Sequence, residues 1–182
     1  MGLVSLEHGK VAYWADFAVH GAAVGGLALA LVLDKESYSA ASALSLAATG
    51  WALWTLVEYA GHRFLLHDVA PFKHWHAEHH ARPMALIAAP TLLSASLLCA
   101  LVFLPAWWLM PLWAAQALSL GVVSGYLAYG LAHHAAHHWR SPSAWMQRRK
   151  RWHALHHHRQ GGHCYGVSTG FWDRRFRSGP AG

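Results

Sequence analysis

The stretch PMALIAAPTLLSASLLCALVFLPAWWLMPLWAAQALSLGVVSGYLAYGLAHHAAHHW, Pro83–Trp139, contains no Asp, Glu, Lys or Arg. At about 1.5 Å per residue, one helix of that length would far exceed a bilayer core of about 30 Å, so the chain must fold back within it. Pro105, Trp107, Trp108 and Pro111 mark the place, because proline interrupts helix and tryptophan favours the membrane interface. The expectation is a tight hairpin between Met84–Leu104 and Leu112–Leu131. Upstream lie two more apolar stretches, Val11–Leu33 and Ser37–Val57, joined by Asp34-Lys35-Glu36. Four spans result.

The composition agrees. Of 182 residues, 55% are hydrophobic and 12% charged, against about 25% charged in ordinary soluble domains. The net charge of +6 is local: Arg140–Arg177 hold nine of the 14 Lys and Arg residues against one acid, Asp173. Beside apolar spans, such a segment reads as a partner for anionic lipid headgroups rather than nucleic acid. An even number of spans puts both termini on one side. That side carries Lys10, Arg63, Lys73, Arg82 and the basic tail, against only Lys35 opposite, so it is expected to be cytoplasmic.

The first span is too long for a secretory signal core and lacks a basic leader. Asp16 and His20 within it read as an end-of-helix acid and a packed histidine. The tail Gln160–Gly182 is Gly-rich and expected to be irregular, with Phe171, Trp172 and Phe176 suited to the membrane interface. Cys99 and Cys164 give no disulfide framework; Cys164 reads as a bystander among histidines.

Of 17 histidines, all but His8 and His20 fall between His62 and His163. They form four spaced groups: HRFLLH from His62 to His67, HAEHH from His76 to His80, His133 with His137, and HALHH from His153 to His157. On a helix, positions three and four apart share a face, so each group can offer two or three imidazoles to one site. His62 and His67, five apart, would diverge by about 140° on a regular helix. They are therefore expected to serve different ions unless the helix ends between them. Ten histidines suit two ions of about five ligands each. His8, His20, His74, His134, His138, His158 and His163 read as packing or surface residues, although the doublets His133/His134 and His137/His138 fit either register.

Neutral imidazole suits iron, copper, nickel and zinc. Structural zinc sites usually close with four ligands, often cysteines, so an all-histidine pair at a membrane surface better matches a redox metal that activates dioxygen. Every group lies at the end of the second or fourth span or in the segment after it, on the cytoplasmic side.

These boxes resemble those of the fatty acid hydroxylase/sterol desaturase superfamily of membrane di-iron enzymes, over roughly Glu58 to Arg177. GYLAY at Gly125–Tyr129 and YGVSTGFWD at Tyr165–Asp173 look more like the fatty acid hydroxylase branch than the carotenoid branch. The resemblance implies metal ligands His62, His67, His76, His79, His80, His133, His137, His153, His156 and His157, which also selects the doublet register. It implies no catalytic residues beyond those ligands. It further implies two Fe ions, which Zn can replace during purification, O2, and a lipid acyl chain as the substrate hydroxylated at a C–H bond. Some such enzymes carry a fused cytochrome b5. This chain has neither the length nor a haem-binding segment for one, so a separate electron-transfer protein such as cytochrome b5 or ferredoxin is expected. Glu58, one turn before His62, reads equally as an acceptor orienting that ligand or as a partner of Arg63 or a solvated helix end; Asp68 and Glu78 share the ambiguity.

The expected architecture is all-α: an integral membrane bundle of four transmembrane helices with a cytoplasmic histidine-rich helical cap holding a di-metal site. Residues 1–182 are expected to form a single fatty acid hydroxylase-like membrane domain, with spans near 11–33, 37–57, 84–104 and 112–131. A carotenoid or sterol hydroxylase or desaturase would use the same metal site. A membrane metal-binding or transport protein would place histidines or acids at successive depths, yet Pro83–Ala132 contains none.

Overall fold

The computed structural model describes residues 7–34, 36–158 and 163–180, and among these every regular element is helical. Lys35 and residues 160–162 and 181–182 of the tail lie outside the described residues. We label the helices α1 (Lys10–Leu33), α2 (Ala40–Leu66), α3 (Phe72–Ala81), α4 (Thr91–Leu109), α5 (Leu112–His138), α6 (Ala144–His158) and α7 (Phe171–Arg175). Two of them contain wide turns: α2 is π-helical over Gly61–Leu66 and α4 over Cys99–Phe103.

Helices α1, α2, α4 and α5 are long and apolar enough to cross a membrane. The shortest, α4 with 19 residues, is about 28 Å long at 1.5 Å per residue, close to the thickness of a hydrocarbon core. Their outward faces are apolar too: Leu44 is 71% exposed, Leu92 80% and Trp108 86%. A helix apolar on all sides suits lipid, not water.

The chain divides into two compact units. The first comprises Met1–Trp54 and Leu86–Leu127. Here α2 and α5 approach closely because glycines remove side chains from the contact. A Cβ at Gly121 would stand 1.9 Å from the Ala47 carbonyl oxygen, and one at Gly50 2.1 Å from that of Leu118. Small residues at such contacts let backbones meet in an apolar medium where burial alone gives little preference. Asp16 lies inside α1 rather than at its end, accepting a hydrogen bond from Tyr126 Oη at 3.4 Å, beside buried His20 and Ser94.

Helix α4 starts at Thr91 rather than near Met84, with Pro90 as its N-cap. Proline lacks the N–H that a preceding turn would need. Pro105 does not end the helix as its composition suggests; it follows the wide Cys99–Phe103 turn. A widened turn displaces the carbonyl that a proline ring would otherwise strike. The reversal comes at Met110, where the backbone becomes extended, just before Pro111.

The second unit comprises Thr55–Ala85 and Ala128–Gly182. It holds the C-terminal ends of α2 and α5, all of α3, α6 and α7, and the irregular segment from His163 to Gly170. Every histidine of the four spaced groups belongs to it.

Candidate metal centre

Ten imidazoles of the second unit gather into two groups of five. The first is His62, His67, His76, His80 and His156; the second is His79, His133, His137, His153 and His157. Within each group, one nitrogen per ring lies within 4.8 Å of all the others. Either group could hold a metal ion.

Helix geometry explains how each His-x-x-His-His box divides. Around an α-helix, residue i+4 lies about 40° from i on one side and i+3 about 60° on the other. His76 and His80 therefore point to the first cluster and His79 to the second, while His153 and His157 point to the second and His156 to the first. The two boxes contribute in opposite senses, so α3 and α6 each serve both clusters.

His62 and His67 share the first cluster, contrary to the expectation from regular helical spacing. The backbone stays helical from His62 through His67, the residue that caps α2, and the two rings are not separated. Over Gly61–Leu66 it is π-helical, and an i→i+5 turn brings residues five apart onto one face. Their rings lie 5.5 Å apart, centroid to centroid. The wide turn leaves no spacing signal that single-sequence reasoning can separate from a kink.

The nitrogens that converge are Nε2. In the first cluster His62 Nε2 faces His76 Nε2 at 3.0 Å, and His156 Nε2 faces those of His67 and His80 at 3.2 and 3.1 Å. In the second, His133 Nε2 faces His79 Nε2 at 3.1 Å, and His153 Nε2 faces those of His137 and His157 at 2.7 and 3.1 Å. His62 Nδ1–H donates to the Tyr165 carbonyl at 2.6 Å, and His156 Nδ1–H to the His163 carbonyl at 2.9 Å. Those bonds fix the tautomer and leave each Nε2 lone pair aimed inward. Several inward lone pairs repel one another. Protons satisfy them only pairwise, whereas a cation at the centre satisfies all, so the donor set fits a metal.

Electrostatics points the same way. Burial, and then the charge that neighbouring rings would carry, holds His79 down to about 3 and His157 to about 2. Burial likewise lowers His80 and His156, to about 4 and about 3, and pushes His76 and His153 well below the usual range. These rings are neutral at physiological pH, the form that ligates.

Around the first cluster lies a built support. The Glu58 carboxylate does not reach His62 or Arg63; its Oε1 accepts the Val167 and Ser168 N–H groups at 2.7 and 2.9 Å, and Oε2 accepts the Ser168 hydroxyl. Asp173, fully buried, accepts the Tyr165 and Gly166 N–H groups at 2.9 and 2.8 Å and the Ser178 hydroxyl at 2.9 Å. Arg63 Nη1 donates to Tyr59 Oη at 2.6 Å, and Tyr59 Oη in turn meets Ser178 Oγ at 2.8 Å. Two carboxylates thus pin the segment that presents the Tyr165 carbonyl. A pocket of about 450 Å³, lined by Leu66, His67, His76 and His80 among others, borders the same cluster.

The chain matches the family model described as fatty acid hydroxylase over residues 47–178. The chain belongs to the fatty acid hydroxylase family. It is 34% identical over 145 residues to the ceramide very long chain fatty acid hydroxylase scs7 of Schizosaccharomyces pombe, covering 70% of this chain and 40% of that one. It is 31% identical over 148 residues to the dihydroceramide fatty acyl 2-hydroxylase FAH2 of Arabidopsis thaliana, covering 73% and 60% respectively. A solved structure described as full-length scs7p, with only its hydroxylase domain visible, superimposes with a TM-score of 0.79 at 30% identity, covering 93% of this chain and 67% of that one. The chain thus spans less than two thirds of the length of these curated relatives. Membership accords with the resemblance read from the boxes and from Tyr165–Asp173.

The histidines and the cysteine that the sequence set apart as packing residues, surface residues or bystanders fall outside both clusters. His134 and His138 stack on each other at 4.5 Å, outside both clusters. His74 and His158 are exposed, His8 contacts the Ala88 carbonyl, and Cys164 is buried but in neither cluster. Glu78 pairs with Arg82 on the surface of α3. Sequence reasoning did not find Asp173, Ser168 or Ser178 as parts of the site. Nor did it find the carbonyls of His163 and Tyr165, since a main-chain acceptor leaves no mark on residue type.

Proposed function

We propose that this chain is a membrane-bound, O2-dependent di-iron hydroxylase that inserts one oxygen atom into a C–H bond of a lipid acyl chain, at the 2-position. The observation that carries the reading is the pair of five-imidazole clusters, with His62, His67, His76, His80 and His156 as ligands of one ion and His79, His133, His137, His153 and His157 of the other. Membership in a hydroxylase family supports a redox metal such as iron among those that imidazole suits, and the name of the FAH2 relative supports the acyl 2-position. Ions bound there would supply the activation of dioxygen and the removal of hydrogen from an unactivated carbon.

The chain's own part is to position and to exclude. Ten imidazoles, from α2 and the residue after it and from α3, α5 and α6, fix the ligand set, and α3 and α6, contributing to both clusters, fix the spacing between them. Burial of His62, His79, His153 and His156 keeps bulk water from the ligands. The apolar outer faces of α1, α2, α4 and α5 suit a membrane location in which an acyl chain arrives from the bilayer. The charge distribution supports termini and clusters on the cytoplasmic side, where a donor such as cytochrome b5 or ferredoxin would deliver electrons.

The test compares lipids from aerobic cells that express the wild type or His156→Ala with a competent reductase. The wild type alone is expected to produce lipids heavier by one oxygen, placed on acyl C2 by fragmentation. Identical lipids in both would overturn the hydroxylase reading. Purified protein is expected to contain about two metal ions, one for each five-nitrogen cluster.

A further inference from the structure

We infer that the two clusters bind metal with unequal affinity, the first more tightly, and that Glu58 and Asp173 are the positioning residues that create the difference. The inference rests on the metal-binding reading above and adds an order of filling.

When Nε2 ligates, a neutral imidazole carries its proton on Nδ1, and that N–H needs an acceptor. In the first cluster two rings have one, His62 on the Tyr165 carbonyl and His156 on the His163 carbonyl. In the second, the Nδ1 atoms of His79, His153 and His157 are buried without a hydrogen-bond partner among the described residues. Their Nε2 atoms are the ones that converge, so neither tautomer relieves the rings: flipping the proton inward would block the ligating atom. An outer acceptor fixes ring orientation and raises ligand basicity, and loss of one typically costs about 10–100-fold in metal affinity.

The Tyr165 carbonyl is itself held. Asp173 binds the N–H groups of Tyr165 and Gly166, Glu58 those of Val167 and Ser168. Four consecutive amides are thereby tied to two buried carboxylates, on α2 and α7. Ser178 bonds Asp173 through its hydroxyl, and its carbonyl accepts the Cys164 N–H at 2.7 Å, fixing the residue next to His163. A ring that is already aimed loses less freedom when an ion arrives. Among the described residues, no equivalent support reaches the second cluster's three Nδ1 atoms.

The experiment is a Co2+ titration of the full chain, purified in detergent and stripped of metal, followed by visible absorption, with total metal measured by mass spectrometry. The wild type is expected to fill in two steps at least about tenfold apart. His62→Ala should remove the tight step and His137→Ala the weak one. Glu58→Ala should weaken the tight step about 10–100-fold and leave the weak step in place, an internal control that the protein has folded. Glu58→Gln, which keeps an acceptor for the two amides, should recover most of the loss. One unresolved step for two ions, or a tight step that disappears in His137→Ala, overturns the inference while leaving two-metal binding intact. Failure of the wild type to bind two ions overturns the reading on which it rests.

Discussion

The first and second clusters have the same five imidazoles in kind, yet they differ in what stands behind them. The first draws His62 from α2 and His67 from the residue after it, two rings from α3 and one from α6; the second draws one from α3, two from α5 and two from α6. Behind the first, two Nδ1–H groups reach main-chain carbonyls of a segment pinned by Glu58 and Asp173, and a pocket borders the rings. Behind the second, three Nδ1 atoms are buried with no partner among the described residues. The lesson is that a ligand count describes a metal centre only in part. The acceptors around the ligands decide how firmly each ring is aimed.

The sharpest way to break the comparison is to remove one ligand from each cluster. His156→Ala and His153→Ala should each abolish hydroxylated product, by at least about 100-fold, because the proposed chemistry needs both ions. Metal content should nevertheless distinguish them, His156→Ala retaining only the weak site and His153→Ala only the tight one. Equal metal loss from both clusters in either variant would show that the two cannot be filled independently.

A smaller effect is expected from the turn that carries the Tyr165 carbonyl. A Cβ at Gly166 would stand 2.0 Å from the Thr169 carbonyl oxygen and 2.8 Å from Asp173 Oδ2, so Gly166→Ala must open the turn. It should weaken the first cluster's metal step about 10-fold or more, with a fall in melting temperature, and spare the second. Asp173→Asn is milder in shape but gives up a charged acceptor for two amides. Each hydrogen bond to a charged group is worth about 1.5–3 kcal/mol, so a stability loss of about that size is expected in chemical denaturation, together with a weaker tight step.

The smallest effect sharpens the point about main-chain acceptors. His163 serves the first cluster through its carbonyl, which every residue type provides. His163→Ala is therefore expected to change tight-site affinity by less than about threefold, against the about 10–100-fold loss from Glu58→Ala. A large loss in His163→Ala would show that its ring has a role that the bond to His156 does not express.

Much of this was legible in the chain. Uncharged Pro83–Trp139 required a membrane-scale hairpin, and the repeated His-x-x-His-His spacing singled out helices α3 and α6 as sources of convergent imidazoles. The YGVSTGFWD segment after the last box suggested the branch of the family. Those features are set by composition and local periodicity, which act over a few residues and leave a direct imprint on sequence.

What the tertiary structure alone decided lies one step further out. Pro105 looked like a helix end, but a wide turn before it carried α4 on to Leu109. His62 and His67 looked divergent, but a π-helical turn put both in the first cluster. Glu58 read equally as an acceptor for His62 or a partner of Arg63, but it holds amides more than a hundred residues away along the chain. Each outcome depends on helix widening or on main-chain groups brought together by folding, and neither changes which residue types appear at a given spacing. The sequence, with the family resemblance it carries, indicated that ten histidines would gather at the ends of two apolar spans and in the polar segments that follow them. Only the fold decided which five belong to each cluster, and that one set is braced by two buried carboxylates.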